Sequence, residues 1–221
     1  MMPILIFDLD GTLVDSRADL VDAVNLTRAD FGLAPLPLAD VIAMVGDGVY
    51  NLMTRAVPDL ARPHDIEEAV AAMQRHYRDH LLDQTRLYPD VASTLAALKP
   101  DWRLAVVTNK PEAAAQRICA ALGIGAFLDA VVGGGRCPHL KPRPEPLLLA
   151  MALAGGTAAG SWMIGDHRTD LGAAAAAGLK ACFCAYGFGL QGDERADAVI
   201  QSFPALLNVV SPATSTAPAF P

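Results

Sequence analysis

The chain has 221 residues, of which 52% are hydrophobic, 19% charged and 6% aromatic, enough to bury a full core and inconsistent with a wholly disordered chain. Seventeen Lys and Arg stand against 24 Asp and Glu, a net charge of −7. That balance argues against nucleic acid or an anionic membrane as a partner, since both call for a basic face.

In chain order, short apolar runs recur at Ile4–Phe7, Leu104–Val107, Ala130–Val132, Trp162–Ile164 and Ala181–Cys184. Such runs read as strands buried on both faces, and their alternation with helical segments predicts a parallel α/β sheet. Helices are expected to begin near Pro111, Pro146 and Thr169. Residues 16–82 break the rhythm. Ser16, followed three positions on by Asp19, reads as a helix-capping pair. Leu20, Val24, Thr27 and Phe31 then share one helical face, as do Ile66, Val70, Met73, Tyr77 and Leu81. The expectation is a helical module inserted after the first strand, with a disordered tail over 211–221.

Targeting and redox signals are weak. The N-terminal run has no basic segment before it, and Leu171–Leu190 is mostly Ala and Gly broken by Lys180, so neither a signal peptide nor a membrane span is expected. Cys119, Cys137, Cys182 and Cys184 form no Cys-x-x-Cys pair, which favours free thiols in the cytoplasm over a zinc site or disulfide framework.

The chemistry concentrates at strand ends. Asp8 and Asp10 sit two residues apart, which in an extended chain aims both carboxylates into one space, and Gly11 permits a sharp turn after them. Ligands of open parallel sheets bind beyond the carboxyl ends of the strands. Two carboxylates so close call for a cation or a proton between them. Taken alone, the pair reads equally as a solvated acidic turn. Thr108-Asn109-Lys110-Pro111 offers a hydroxyl and backbone amides at a helix start, suited to phosphate oxygens or to an ordinary strand-to-helix turn. Lys141 lies in a loop stiffened by Pro142, Pro144 and Pro146, and Gly165-Asp166-His167-Arg168-Thr169-Asp170 ends a further strand with two acids, either a site or a helix cap.

These four segments, in this order and at consecutive strand ends, resemble the haloacid dehalogenase superfamily of phosphotransferases over nearly all of residues 4–207. The resemblance implies a Rossmann-like parallel sheet core (1–15 and 83–210) with an all-helical cap domain (16–82). It further implies Asp8 as nucleophile forming an aspartyl-phosphate, and Asp10 as the acid that protonates the leaving alcohol and then activates water. Thr108 and the Asn109 amide would hold the phosphoryl group, and Lys141 would neutralise its charge. Mg²⁺ would take Asp8, the backbone carbonyl of Asp10 and Asp166, with Asp170 in support. One position departs from the pattern: His167 stands where the family commonly has Ser or Thr, so hydrogen bonding in that loop must differ, and an added base is one reading of it.

Further details are similar to the bacterial phosphoglycolate phosphatases: Val45-Gly46-Asp47-Gly48 with Arg55, Thr108-Asn109-Lys110-Pro111 and Lys141-Pro142-Arg143-Pro144. Gly46 and Gly48 open a helix and either present amides to a substrate carboxylate, with Arg55 as partner, or simply start that helix. The resemblance implies Mg²⁺-dependent hydrolysis of a small phosphate monoester, 2-phosphoglycolate to glycolate and phosphate, by a cytoplasmic monomer or homodimer. A sugar-phosphate phosphatase, a pyrophosphatase and a β-phosphoglucomutase-like phosphotransferase stay open as alternatives, as does a non-catalytic binding or regulatory protein.

Overall fold

The computed structural model describes residues 2–58, 60 and 63–210; the expected tail over 211–221 lies outside them. Six strands form one parallel sheet: β1 (Pro3–Phe7), β4 (Arg103–Pro111), β5 (Ala130–Gly134), β6 (Thr157–Gly165), β7 (Lys180–Cys184) and β8 (Ala198–Ile200). They lie in the order β5-β4-β1-β6-β7-β8. β1 is central, with Phe7 opposite Val106 of β4 on one side and Ile164 of β6 on the other. The strand order reverses direction at β1, the position where α/β sheets open a ligand crevice at their carboxyl ends.

The apolar runs are continuous because both faces are covered. Leu5, Phe7, Leu104, Val106 and Ile164 belong to one core with Ile118 of α6 (Glu112–Ala121) and Val91 and Leu95 of α5 (Val91–Leu98). Ile4, Ile6, Ala105, Val107 and Met163 belong to another with Leu147 of α7 (Glu145–Ala154) and Leu171 of α8 (Arg168–Ala177). Alternate residues of one strand therefore feed opposite layers, as the two-residue period of a strand dictates. The three helix starts fall within a residue of where the prolines and Thr169 place them.

β2 (Val14–Asp15) and β3 (Arg86–Leu87) form a short antiparallel ribbon. Between them run α1 (Arg17–Asp30), α2 (Leu38–Ile42), α3 (Val49–Ala56) and α4 (Pro63–Asp79). No strand occurs among the described residues of 16–82. Leu20 and Val24 of α1, Met53 of α3 and Met73 and Tyr77 of α4 are buried, so the inserted helices close their own apolar faces on one another.

The Ser16–Asp19 pair does not cap α1. Ser16 makes no side-chain cap; its Oγ instead donates to Asp10 Oδ1 at 2.5 Å. Asp19 accepts from the Gln84 amide (2.9 Å), the Thr85 amide (2.8 Å) and the Thr85 hydroxyl (2.7 Å). A buried carboxylate takes the set of donors that satisfies it most fully, and here the returning chain brings three. β8 and the β2–β3 ribbon, too short to leave an apolar run, complete the differences from the strands expected. No helix among the described residues is long and apolar enough to cross a membrane. All four cysteines are free, three of them buried.

Candidate active site

A cavity of about 330 Å³ lies between the inserted helices and the carboxyl ends of β1, β4 and β6. Asp8, Asp10, Thr108, Asn109, Lys141, Asp166, Gly46 and Gly48 all line it. Residues separated by more than a hundred positions thus meet because Asp8, Asp10, Thr108, Asn109, Lys141 and Asp166 lie at or after the carboxyl ends of strands of one sheet, while Gly46 and Gly48 come from the inserted segment.

Asp8, Asp166 and Asp170 bring carboxylate oxygens within 4.8 Å of one another. Asp166 and Asp170 are buried, with relative exposures of 2% and 0%. Close approach is possible because Gly11 has a positive φ of 83° and no side chain: a Cβ there would stand 1.9 Å from Asp166 Oδ2. Burial pushes the Asp8 carboxyl up to about 6, with Lys141 opposing the rise and Asp170 adding to it. Burial, then Asp8 and Asp170, raise Asp166 well above the carboxylate range, although the Phe188 and Gly189 amides donate to its Oδ2 at 2.9 and 2.7 Å. Crowded, desolvated carboxylates of this kind are short of positive charge. Hard oxygen donors around such a deficit suit Mg²⁺, so the residues present fit that ion.

Lys141 supplies part of the missing charge. Its Nζ donates to Asp8 Oδ1 (2.9 Å), Asp170 Oδ1 (2.7 Å) and the Val107 carbonyl (2.6 Å). Burial works to lower its pKa, but Asp170 and Asp8 outweigh that and leave it raised, so it is a fixed cation. Both Asp170 oxygens are taken, the second by the His167 amide at 3.0 Å. That fits a residue that orients Lys141 and the loop more than one that binds metal directly. The Asp10 side chain is turned away from Asp166 toward Lys110 and Ser16, which leaves its backbone carbonyl for the role assigned from the sequence.

Thr108 Oγ1 accepts from the Lys110 amide at 3.2 Å and keeps its hydrogen to donate into the cavity. Asn109 works through its side chain: Nδ2 donates to the carbonyls of Gly46 (2.9 Å) and Lys141 (3.0 Å), and Oδ1 accepts from the Lys141 amide (2.9 Å). It ties the inserted helices to the lysine loop.

His167 does what Ser or Thr would do at a helix start. It is the N-cap of α8, its Nδ1 accepting from the Thr169 amide while Asp170 accepts from the His167 amide. Burial lowers its pKa. A Cβ on Gly46 would lie 2.7 Å from the His167 ring, so this glycine is required by close packing of the inserted segment on that ring. Gly48 ends the turn just before α3.

Arg55 is not brought to the cavity. Its guanidinium grips Asp47 through Nη1–Oδ1 (2.8 Å) and Nη2–Oδ2 (2.5 Å) and also donates to the Met44 carbonyl. A bidentate carboxylate in the turn that opens the same helix satisfies it locally. Sequence reasoning assigned no role to Lys110, whose Nζ donates to Asp10 Oδ1 (2.7 Å), Asp10 Oδ2 (2.8 Å) and Tyr77 Oη (2.5 Å). The signal was there: in an extended strand Lys110 lies on the same side as Thr108, just as Asp10 lies on the side of Asp8.

A parallel α/β sheet with a fixed lysine and an acidic, oxygen-rich pocket at its carboxyl edge is the arrangement of a hydrolase or phosphotransferase. The comparisons with known proteins specify which. Residues 5–184 match the haloacid dehalogenase-like hydrolase family, and the chain belongs to it. It is 40% identical over 215 residues to a plasmid-encoded phosphoglycolate phosphatase of Cupriavidus necator, covering 95% of this chain and 93% of that one. It is 37% identical over 217 residues to the phosphoglycolate phosphatase of Neisseria meningitidis, covering 93% and 92%. A crystal structure described as a predicted phosphoglycolate phosphatase from Haemophilus somnus superposes with a TM-score of 0.87 at 30% identity, covering 94% of this chain and 97% of that one.

Proposed function

We propose that the chain is a Mg²⁺-dependent phosphatase that hydrolyses 2-phosphoglycolate to glycolate and phosphate through an aspartyl-phosphate on Asp8. The observation that carries this is the contact of Lys141 Nζ with Asp8 Oδ1 at 2.9 Å inside the acidic pocket: a carboxylate held ready beside a fixed cation is what phosphoryl transfer to an aspartate needs. The curated relatives named as phosphoglycolate phosphatases support the choice of ester.

In this reading Asp8 attacks phosphorus while Thr108 Oγ1 and Lys141 Nζ meet the phosphoryl oxygens. Mg²⁺, held by Asp8, the Asp10 carbonyl and Asp166, would neutralise charge on those oxygens and offset the crowding of the carboxylates. Asp10 hands a proton to the leaving alkoxide and takes one back from the water that cleaves the acyl phosphate. Asp170 keeps Lys141 in place. Gly46 and Gly48 close the cavity from above, and residues 16–82 act as a cap over a core of 1–15 and 83–210. The enzyme works in the cytoplasm, as four free cysteines suggest.

The test is phosphate release from 2-phosphoglycolate and a panel of small esters with Mg²⁺. Asp8→Asn, nearly isosteric, should abolish turnover and leave the circular dichroism spectrum unchanged. Undiminished turnover in that variant sinks the mechanism, and absence of release from 2-phosphoglycolate with release from other esters sinks the substrate.

A further inference from the structure

Four side chains that carry a positive charge line the cavity: Lys110, Lys141, Arg78 and Arg117. Lys141 is committed to Asp8, Asp170 and a backbone carbonyl. Arg78 and Arg117 are exposed, and Arg117 is tied to the Arg78 carbonyl at 3.0 Å. Lys110 is different. Its side chain is only 4% exposed, and its ammonium is shared between the catalytic pocket, through Asp10, and the inserted helices, through Tyr77.

Tyr77 does not neutralise it. Burial pushes that phenol up to about 12, so the Tyr77 hydroxyl accepts a hydrogen bond as a neutral group, and its ring lies 4.5 Å from Lys110 Nζ. The positive charge is balanced by Asp10 alone. For Asp10 to reach the ester oxygen of a substrate, one of its oxygens must turn away from Lys110, which frees an ammonium N–H beside the leaving group. In a phosphorylated 2-hydroxy acid the carboxyl carbon is only two bonds from that ester oxygen. Its carboxylate then falls within hydrogen-bonding reach of the freed donor, roughly 3 Å.

We propose that Lys110 reads the substrate carboxylate, restricting the enzyme to phosphate esters whose ester-bearing carbon is bonded directly to a carboxylate. This rests on the reading of the chain as a 2-phosphoglycolate phosphatase and assigns the residue that selects that ester. It also accounts for the failure of Arg55 to face the cavity: the carboxylate is met from the core side, at the general acid, with Tyr77 holding the lysine in place.

The test compares kcat/KM for 2-phosphoglycolate and its neutral amide, 2-phosphoglycolamide, in the wild-type enzyme, Lys110→Met and Lys110→Gln, all with Mg²⁺. The wild type should prefer the acid by on the order of 10- to 100-fold, the worth of one charge-assisted hydrogen bond. Lys110→Gln keeps a donor for Asp10 but no charge; it should lose the preference through a raised KM for the acid, over and above any fall common to both substrates. Lys110→Met should lose it too. Equal use of acid and amide by the wild type overturns the proposal, as does a preference that survives in Lys110→Gln. A proportional fall on both substrates in that variant also overturns it, since Lys110 would then only position Asp10. Turnover of the amide without turnover of the acid instead removes the 2-phosphoglycolate reading itself.

Discussion

At the scale of single residues, the pocket is organised around one cation. Lys141 is 3% exposed and makes three hydrogen bonds, two of them to carboxylates. A buried ammonium with two carboxylates is held by charge and geometry together, and removing it leaves both acids uncompensated. Because the same ammonium would stabilise the charge on the transferring phosphoryl group, Lys141→Ala should lower kcat by on the order of 10²- to 10³-fold. Steady-state kinetics on 2-phosphoglycolate checks this, and a loss under about threefold would make Lys141 a purely structural counter-ion. His167 belongs to the same scale. Its ring caps α8 and supports Gly46, so the departure from Ser or Thr alters the fit of the inserted segment while both acids of that loop stay in place.

At the scale of elements, the crossings between the sheet and the inserted helices bear the load. The chain leaves through Asp15 and Arg17, which pair at 2.7 Å, and returns through Gln84 and Thr85, whose amides are gathered by the buried Asp19. Asp19→Ala would strand those donors in the interior and should cost about 2–4 kcal/mol of stability, measured by urea denaturation; a change below about 1 kcal/mol would show that the crossing is held by the β2–β3 ribbon alone. This crossing was not legible in the sequence. Ser16 and Asp19 have the spacing of a capping pair, and only the tertiary approach of residues 84 and 85 outbids the local partner. The same holds for Arg55, whose charge was visible but whose choice of Asp47 over the cavity depends on how the 43–48 turn folds back. By contrast β1, β4 and β6 were legible because burial on both faces leaves unbroken apolar runs, and Asp8, Thr108, Lys141 and Asp166 because each follows such a run or lies in a proline-stiffened loop. The two-residue spacing of Lys110 from Thr108 was visible, but its role was missed because its partners, Asp10 and Tyr77, lie 100 and 33 positions away.

At the scale of the whole molecule, the acidic pocket couples stability to pH and to divalent cation. In the metal-free protein the Asp8 carboxyl is raised to about 6 from its ordinary 3.8, and Asp166 is raised as well. The folded state therefore binds more protons than the unfolded chain between those values, so these groups make stability fall as pH rises through that window. Above about pH 6 Asp8 is ionised beside the other acids, the condition a divalent cation relieves; below that the cation has to displace a proton from it to bind. Added Mg²⁺ should thus raise Tm little at pH 4–5 and progressively more as pH climbs past 6. At a hundredfold excess over Kd, binding contributes about 2.7 kcal/mol, which for a chain of this size is a rise of roughly 5–10 °C. Scanning calorimetry with Mg²⁺ or with EDTA across pH 4–8 reads this directly. Asp166→Asn removes a proposed ligand and should flatten the response, whereas Arg55→Ala, outside the cavity, should leave it intact. A Mg²⁺ response that does not vary with pH would mean that the cation binds elsewhere than at Asp8 and Asp166.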